Sequence, residues 1–334
     1  MKSRYAGVVL ALVLAGCAAS QTANPNGASP GLGSPGLVPP VGGAVAVGGP
    51  ESADFLGSWA TEGPMPTARQ FLGVGVIDRV LYAVGGYTGT VLNTVEAYDP
   101  ATNAWTTKAP MPTMRCCLSS GVIHNILYAV GGTSFSGRLK TVEAYDAATD
   151  SWTTKAPMPT ARENFGIAVL NDKLYAIGGF DGTNYLNTVE VYNPATDAWT
   201  TKAPMPTMRD DLAVEVVDKA IYAVGGYAGG DTMDTVEAYD PATNTWTTKK
   251  PMPTARAGPA AEWLKGRLYV VGGFNGSYLT TVEAYNPTTN RWSTKSPMPT
   301  ARFSLSAVVI DRVLYAVGGA DRSGVLSTLQ AFTP

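Results

Sequence analysis

Histidine is almost absent from this chain of 334 residues: His124 is the only one. Cysteine is nearly as scarce, with three residues, and charged side chains make up only 15% of the total. Each shortage excludes something. No zinc-ligand spacing can be assembled, and neither a metal nor a cofactor is expected. The thiols are too few for the disulfide framework that staples small exported domains. Basic residues do not outnumber acidic ones, 24 against 26, so the positive balance that favours a phosphate backbone is missing. Nucleic acid is therefore not an expected partner. The sequence also lacks a Gly-rich phosphate loop and a Ser-centred nucleophile elbow.

Glycine and proline, by contrast, are plentiful at 37 and 24. That composition suits many short strands joined by turns and disfavours long helices. The N-terminus stands apart. Lys2 and Arg4 precede an apolar run from Tyr5 to Ala15 that is too short to span a bilayer. The run ends in Leu14-Ala15-Gly16-Cys17, which resembles the bacterial lipoprotein signal. The resemblance implies acylation of Cys17 and stable anchoring to a membrane, since more than one acyl chain would be carried. Ala18 after the cysteine implies the outer membrane where a cell has one. Residues 18–53 carry no charge before Glu51 and are mostly Gly, Pro, Ala, Ser and Val, so a disordered tether is expected there. Residues 1–17 are then a leader with its lipobox, and residues 54–334 the folded part.

That folded part is periodic. Gly-Gly pairs fall at 85–86, 131–132, 178–179, 225–226, 272–273 and 318–319. Trp59, Trp105, Trp152, Trp199, Trp246 and Trp292 keep the same step of 46 or 47 residues. One copy reads Pro-Met-Pro-Thr-Ala-Arg, an apolar segment, Leu-Tyr-Ala-Val-Gly-Gly, a variable loop, Thr-Val-Glu-Ala-Tyr-Asp-Pro, then Trp-Thr-Thr-Lys. Four short strands per copy follow, here called a to d from the centre outward. Period and motifs together resemble the kelch repeat, and the resemblance covers residues 58 to 334. It implies an all-β, six-bladed kelch β-propeller. The sixth copy ends at Pro334 without its own tryptophan strand, whereas Ser58-Trp59-Ala60-Thr61 stands before the first Gly-Gly. The expected closure inserts that N-terminal stretch as the outer strand of the last blade.

Comparison of the copies separates frame from variation. Arg69, Arg115, Arg162, Arg209, Arg256 and Arg302 recur just before strand a. Six guanidinium groups near a channel mouth would attract an anion. The expected role is instead structural, with bonds to turn carbonyls or to Glu96, Glu143, Glu190, Glu237 and Glu283, the last copy offering Gln330. The next two residues differ in every copy: Gln70-Phe71, Cys116-Cys117, Glu163-Asn164, Asp210-Asp211, Ala257-Gly258 and Phe303-Ser304. In a propeller they fall at the channel entrance, on the face of the b–c loops, which carry Arg138, Tyr185, Asp231 and Arg322. Candidate binding residues are therefore Phe71, Glu163, Asn164, Asp210, Asp211, Phe303, Arg138, Tyr185, Asp231 and Arg322.

The Gly-Val-Gly-Val-Ile-Asp and Val-Glu-Ala-Tyr-Asp-Pro stretches are similar to those of animal kelch-like adaptors, which bind peptides with this face. The implied function is a binding module for a protein, peptide or glycan, with acidic groups on blades 3 and 4. The alternative is an enzyme similar to kelch-type sialic acid mutarotases, in which Glu163, Asp210 or Asp211 would move protons. Galactose-oxidase-like kelch enzymes need two histidine ligands for copper, and the single His124 cannot supply them. Cys116 and Cys117 are read as strand neighbours with side chains on opposite faces, hence as packing residues.

Overall fold

The computed structural model describes residues 56–334; Cys17 and the expected tether lie outside the described residues. No helix occurs among them. Six four-stranded antiparallel sheets follow one another around a central channel. Blade 1 comprises Gly73–Ile77, Val80–Val84, Val95–Asp99 and Ala104–Lys108. Blades 2 to 5 repeat the same order. Two-residue turns join strands a and b, and both of their residues hold positive φ in blade 1, Asp78 at 49° and Arg79 at 67°. Such turns match the right-handed twist of the strands they join.

Blade 6 closes the ring as its sequence implied. Strands Ser306–Ile310, Val313–Val317 and Leu329–Thr333 come from the C-terminus, and Ser58–Thr61 pairs outermost with Trp59 opposite Phe332. The side-chain latch between blades closes in the same sense. Each Trp Nε1 donates to a carbonyl of the preceding blade: Trp105 to Gly63, Trp152 to Ala109, Trp199 to Ala156, Trp246 to Ala203 and Trp292 to Lys250. Trp59 completes the circle by donating to Ser296 at 2.9 Å.

The c–d turn adds a second latch. Asp99 bonds the nearby Ala101 amide, as a turn aspartate should. Asn103 does something else: its side-chain oxygen accepts from Tyr98 Oη at 2.9 Å and from the Gly63 amide at 2.7 Å. Asp150, Asp197, Asn244 and Asn290 repeat both bonds in later blades. The latch is absent at closure, where Phe332 has no hydroxyl. There Ser296 donates its amide to Leu56 O and its hydroxyl to Gly57 O.

Apolar cores form between sheets, not within one. Tyr82 and Val84 of blade 1 pack with Met111, Leu127 and Tyr145 of blade 2, and every later interface repeats this grouping. No blade can bury its faces alone, so the stack stands or falls as a whole. The Gly-Gly pairs serve close approach. A Cβ on Gly85 would sit 2.6 Å from Arg115 O of the next blade, at a φ of 60° that only glycine adopts freely.

Candidate functional site

The six arginines are fully buried and face the blades, not the channel. Arg115 Nη2 reaches Glu143 at 2.9 Å and Ala129 O at 3.1 Å, while Nη1 reaches Thr141 O at 3.0 Å. Glu143 Oε1 accepts from Thr113 Oγ1 at 2.6 Å, so one carboxylate ties together both polar residues of Pro-Met-Pro-Thr-x-Arg. Arg69, Arg162, Arg209 and Arg256 form the corresponding ion pairs. Gln330 fits the same place by splitting its amide: the oxygen accepts from Arg302 Nη2 and the nitrogen donates to Thr300. Burial lowers the guanidinium pKa of Arg115 and Arg302 to about 10, which leaves both charged at neutrality. The anion-attracting ring does not exist; the arginines are structural.

The residues after each arginine build the entrance. The first of each pair makes a bridge to its own b–c loop, as Glu163 does with Phe180 and Asp210 with Tyr227. The second forms a closed belt of backbone hydrogen bonds around the channel. Phe71 N donates to Ser304 O, Ser304 N to Gly258 O, Gly258 N to Asp211 O, Asp211 N to Asn164 O, Asn164 N to Cys117 O and Cys117 N to Phe71 O, all between 2.7 and 3.1 Å. All six hold positive φ, from 48° at Asp211 to 57° at Cys117. This left-handed turn aims each N–H at one neighbouring blade and each C=O at the other. We call this belt the neck.

Below the neck the channel holds a cavity of about 260 Å³, walled by strand a of all six blades. The surroundings of the neck are lopsided. On one side Phe303 packs against Phe71 at 5.7 Å between ring centroids and against Phe274 at 5.9 Å. Gly258 is the neck residue there because Phe303 fills the space: a Cβ would fall 2.5 Å from its ring. On the other side stand Glu163, Asp210 and Asp211. Arg138 neutralises Glu163 through two bonds of 3.0 and 2.7 Å and lies over the Phe180 ring. Asp210 Oδ1 and Asp211 Oδ2 have no hydrogen-bond partner although both residues are 93% buried. Burial first, then the neighbouring carboxylates, pushes both carboxyls far above their ordinary range.

The neck thus brings together Phe71, Asn164 and Asp211, with Glu163, Asp210 and Phe303 immediately behind them. Tyr185 leans over blade 4, 6.0 Å from Tyr227. Asp231 and Arg322 are exposed on loop tips. Two site residues escaped the sequence reading. Glu215 and Glu262 occupy the middle of strand a in blades 4 and 5 and line the cavity. Burial holds both carboxyls high, and the charge of Glu215 raises that of Glu262 further. The signal was present, since the other copies have Gly75, Gly121, Ala168 and Val308 at that position.

Cys116 and Cys117 also differ from expectation. They are not part of a regular strand: Cys117 holds a φ of 57°, and the two sulfurs lie 3.3 Å apart instead of on opposite faces. The left-handed turn that every neck residue makes has rotated one thiol towards the other. Both remain buried, beside Val91, Phe71 and Tyr87. His124 sits in the a–b turn on the far face, exposed, with Nε2 3.2 Å from Asp172. Among the described residues, no group of three His, Cys, Asp or Glu side chains is placed to hold a metal ion.

Six sheets of this construction around one channel define a kelch propeller. The chain belongs to the KLHDC2/KLHL20/DRC7 Kelch-repeats domain family, whose pattern it matches over residues 57–207 and again over 158–319. Among solved structures it is similar to that of YjhT, with a TM-score of 0.70 and 18% identity, over 81% of this chain and 95% of that one. At that identity the likeness concerns the fold. No curated protein sequence matches the chain.

Proposed function

We propose that this propeller is a binding module, exported and lipid-anchored through Cys17 to a bacterial envelope, which receives a protein, peptide or glycan through its neck. The kelch fold is a frame for binding, and one observation supports the neck as the place. The scaffold positions are uniform from blade to blade, whereas the twelve residues of the entrance differ in every copy. Their differences are not random loop decoration, because the belt holds half of them around one shared opening. Phe135 on the b–c loop of blade 2 is 76% exposed, and Met114 and Met208, each next to a buried arginine in the chain, are exposed as well. Exposed apolar side chains of this size suit contact with a partner. The test is capture from envelope extracts by the protein and by its Phe71→Ala and Asp211→Asn variants. Partners held by the parent and lost by both variants support the reading; capture indifferent to both removes the neck from it.

Carboxyls kept high in a recessed cavity also favour a second reading, proton transfer to and from a sugar. Glu215 and Glu262 are better placed for it than Glu163, which Arg138 occupies. Anomer exchange of sialic acid followed by NMR decides it: acceleration abolished by Glu215→Gln would support catalysis, and an uncatalysed rate would end it.

A further inference from the structure

We propose that the neck and the cavity below it form a site for a primary ammonium group, carried by a linear polyamine or by a lysine side chain of a partner. The inference rests on the neck being the binding face and specifies what enters it.

Charge is the first argument. Asp211, Glu215 and Glu262 line the cavity, and Glu163 and Asp210 stand beside Asp211 behind the neck, so five acids fall on three consecutive blades. No Lys, Arg or His lines the cavity. The six nearest arginines are turned into the blades and engaged there, and Arg138 offsets one carboxylate, Glu163. Four acidic groups are left without a cation.

Unmet hydrogen-bonding capacity is the second, and it does not depend on charge. Asp211 and Ser304 both line the cavity and are more than nine-tenths buried, and Asp211 Oδ2 and Ser304 Oγ have no hydrogen-bond partner. They sit two blades apart on the belt, with Gly258 between them. Buried acceptors without donors are costly, and native structures rarely keep them without a reason. An ammonium brings three N–H donors and a positive charge in one compact group. A metal ion would need a set of close ligands, and none is assembled among the described residues.

Shape agrees. The cavity volume of about 260 Å³ runs down the axis, and its walls below the neck include Val74, Ile167, Val214, Ala261 and Val308. These would pack against methylene groups while the charged end met carboxylates, as amphipathic chains do when buried lengthwise. Phe71, partly exposed at the neck, is the aromatic side chain that an entering cation would meet first.

A distinctive consequence follows from the protonated acids. Asp211 is faced by Glu163 and Cys117, and Asp210 by Asp211, Glu163 and the phenols of Tyr185 and Tyr227; Glu215 and Glu262 face each other lower down. With its carboxyl held high by this company, an Asp211 bearing a proton gives it up when the cation arrives. R–NH₃⁺ and Asp–COOH become the ion pair R–NH₃⁺···⁻OOC–Asp, and one H⁺ passes to solvent. Binding must therefore release protons and tighten with rising pH, by up to about tenfold per pH unit for each proton displaced.

The experiment is isothermal titration calorimetry on the full chain with spermidine and with a peptide carrying one lysine between glycines. Both are run at pH 6 and pH 8 in buffers of different ionisation enthalpy. Expected are saturable binding of at least one probe, proton release, tighter binding at pH 8 and a loss of roughly tenfold or more in Asp211→Asn, typical of removing one charged partner. Asp172→Asn on the far face should change nothing. Spermidine binding alone identifies a free amine and peptide binding alone a partner's lysine; either supports the site. Asp211→Asn keeps the neck, whose bonds are all backbone, and its circular dichroism verifies that. No saturable binding, binding indifferent to Asp211→Asn, or binding that tightens towards pH 6 overturns the proposal. If neither probe binds while envelope capture still depends on Phe71 and Asp211, the ammonium is wrong and the neck reading stands. If spermidine binds while capture ignores the neck, the reverse holds.

Discussion

Trp59 lies against Phe332 with ring centroids 5.0 Å apart, which joins the first strand of the described chain to the last. Internal blades make the same Trp–aromatic contact within one continuous stretch, as Trp152 does with Tyr145 at 5.1 Å. Trp59→Ala should cost about 3 kcal/mol, the lower end for losing a packed aromatic, since the residue is only partly buried. Trp152→Ala should cost a similar amount. The two variants differ in kind: loss of Trp59 frees the seam, so limited proteolysis should cut first before residue 62 in that variant. A cut at an internal blade instead would show that the seam does not depend on it.

Gln330 is the natural exception among five glutamates. Gln330→Glu would give Arg302 the ion pair its counterparts have; the present bond to Gln330 already has a charged donor, so the added acceptor charge should bring only about 1 kcal/mol. A modest gain in urea midpoint is expected. Glu143→Ala should lose about 3–5 kcal/mol, because it strands the buried Arg115 charge and frees Thr113 as well. If Gln330→Glu destabilises the protein, the sixth site is tuned to the amide.

Asp210 and Asp211 make stability depend on pH in the direction opposite to ordinary surface acids. Their folded pKa values are raised above the unfolded value near 4, so between the two the native state holds more protons than the unfolded chain. Stability is then undiminished below pH 4 as far as these groups are concerned, and falls as pH rises through neutrality. Each contributes a slope of about 1.4 kcal/mol per pH unit between its unfolded and its folded pKa, a window that closes at about 7 for Asp211 and about 9 for Asp210. Asp211→Asn should flatten the decline between about pH 4 and 7 and leave the protein more stable at pH 8. A steeper decline in the variant would contradict the burial argument.

The Cys116 and Cys117 thiols are close together yet unreactive by environment. The bond to Cys116 comes first, and burial second, in pushing the Cys117 thiol well above its usual range, which leaves little thiolate at neutrality. Iodoacetamide should modify neither at an appreciable rate until the protein is unfolded in urea, after which both react. Rapid alkylation in the native state would mean that the neck opens.

Much of this architecture could be read from the chain. Blade number, strand order and the seam at Trp59 followed from spacing, because each depends on where large and small residues recur. The direction of a side chain is harder. Six recurring arginines look alike in sequence whether they face a channel or a core, and only the three-way bond among Thr113, Arg115 and Glu143 decides between them. Cys117 was misread for a related reason. Its counterparts Asn164, Asp211 and Gly258 are residues that accept positive φ, which hinted at a turn, but Phe71 and Cys117 carry no such hint. Glu215 and Glu262 escape a reading in which that stretch is one apolar segment in every copy, because such a template leaves no place for an acid.

The neck hydrogen bonds use main-chain atoms only, and this separates ring integrity from the chemistry of the opening. Five of the six settings are held in place whatever side chains occupy them, limited by a backbone twist that β-branched residues resist, while Gly258 is fixed by the Phe303 ring. Recognition can therefore be re-specified one setting at a time, without renegotiating the scaffold. An exchange at Asn164 or Ser304 is the natural way to retarget this protein, whereas the same exchange at the preceding arginine would dismantle it.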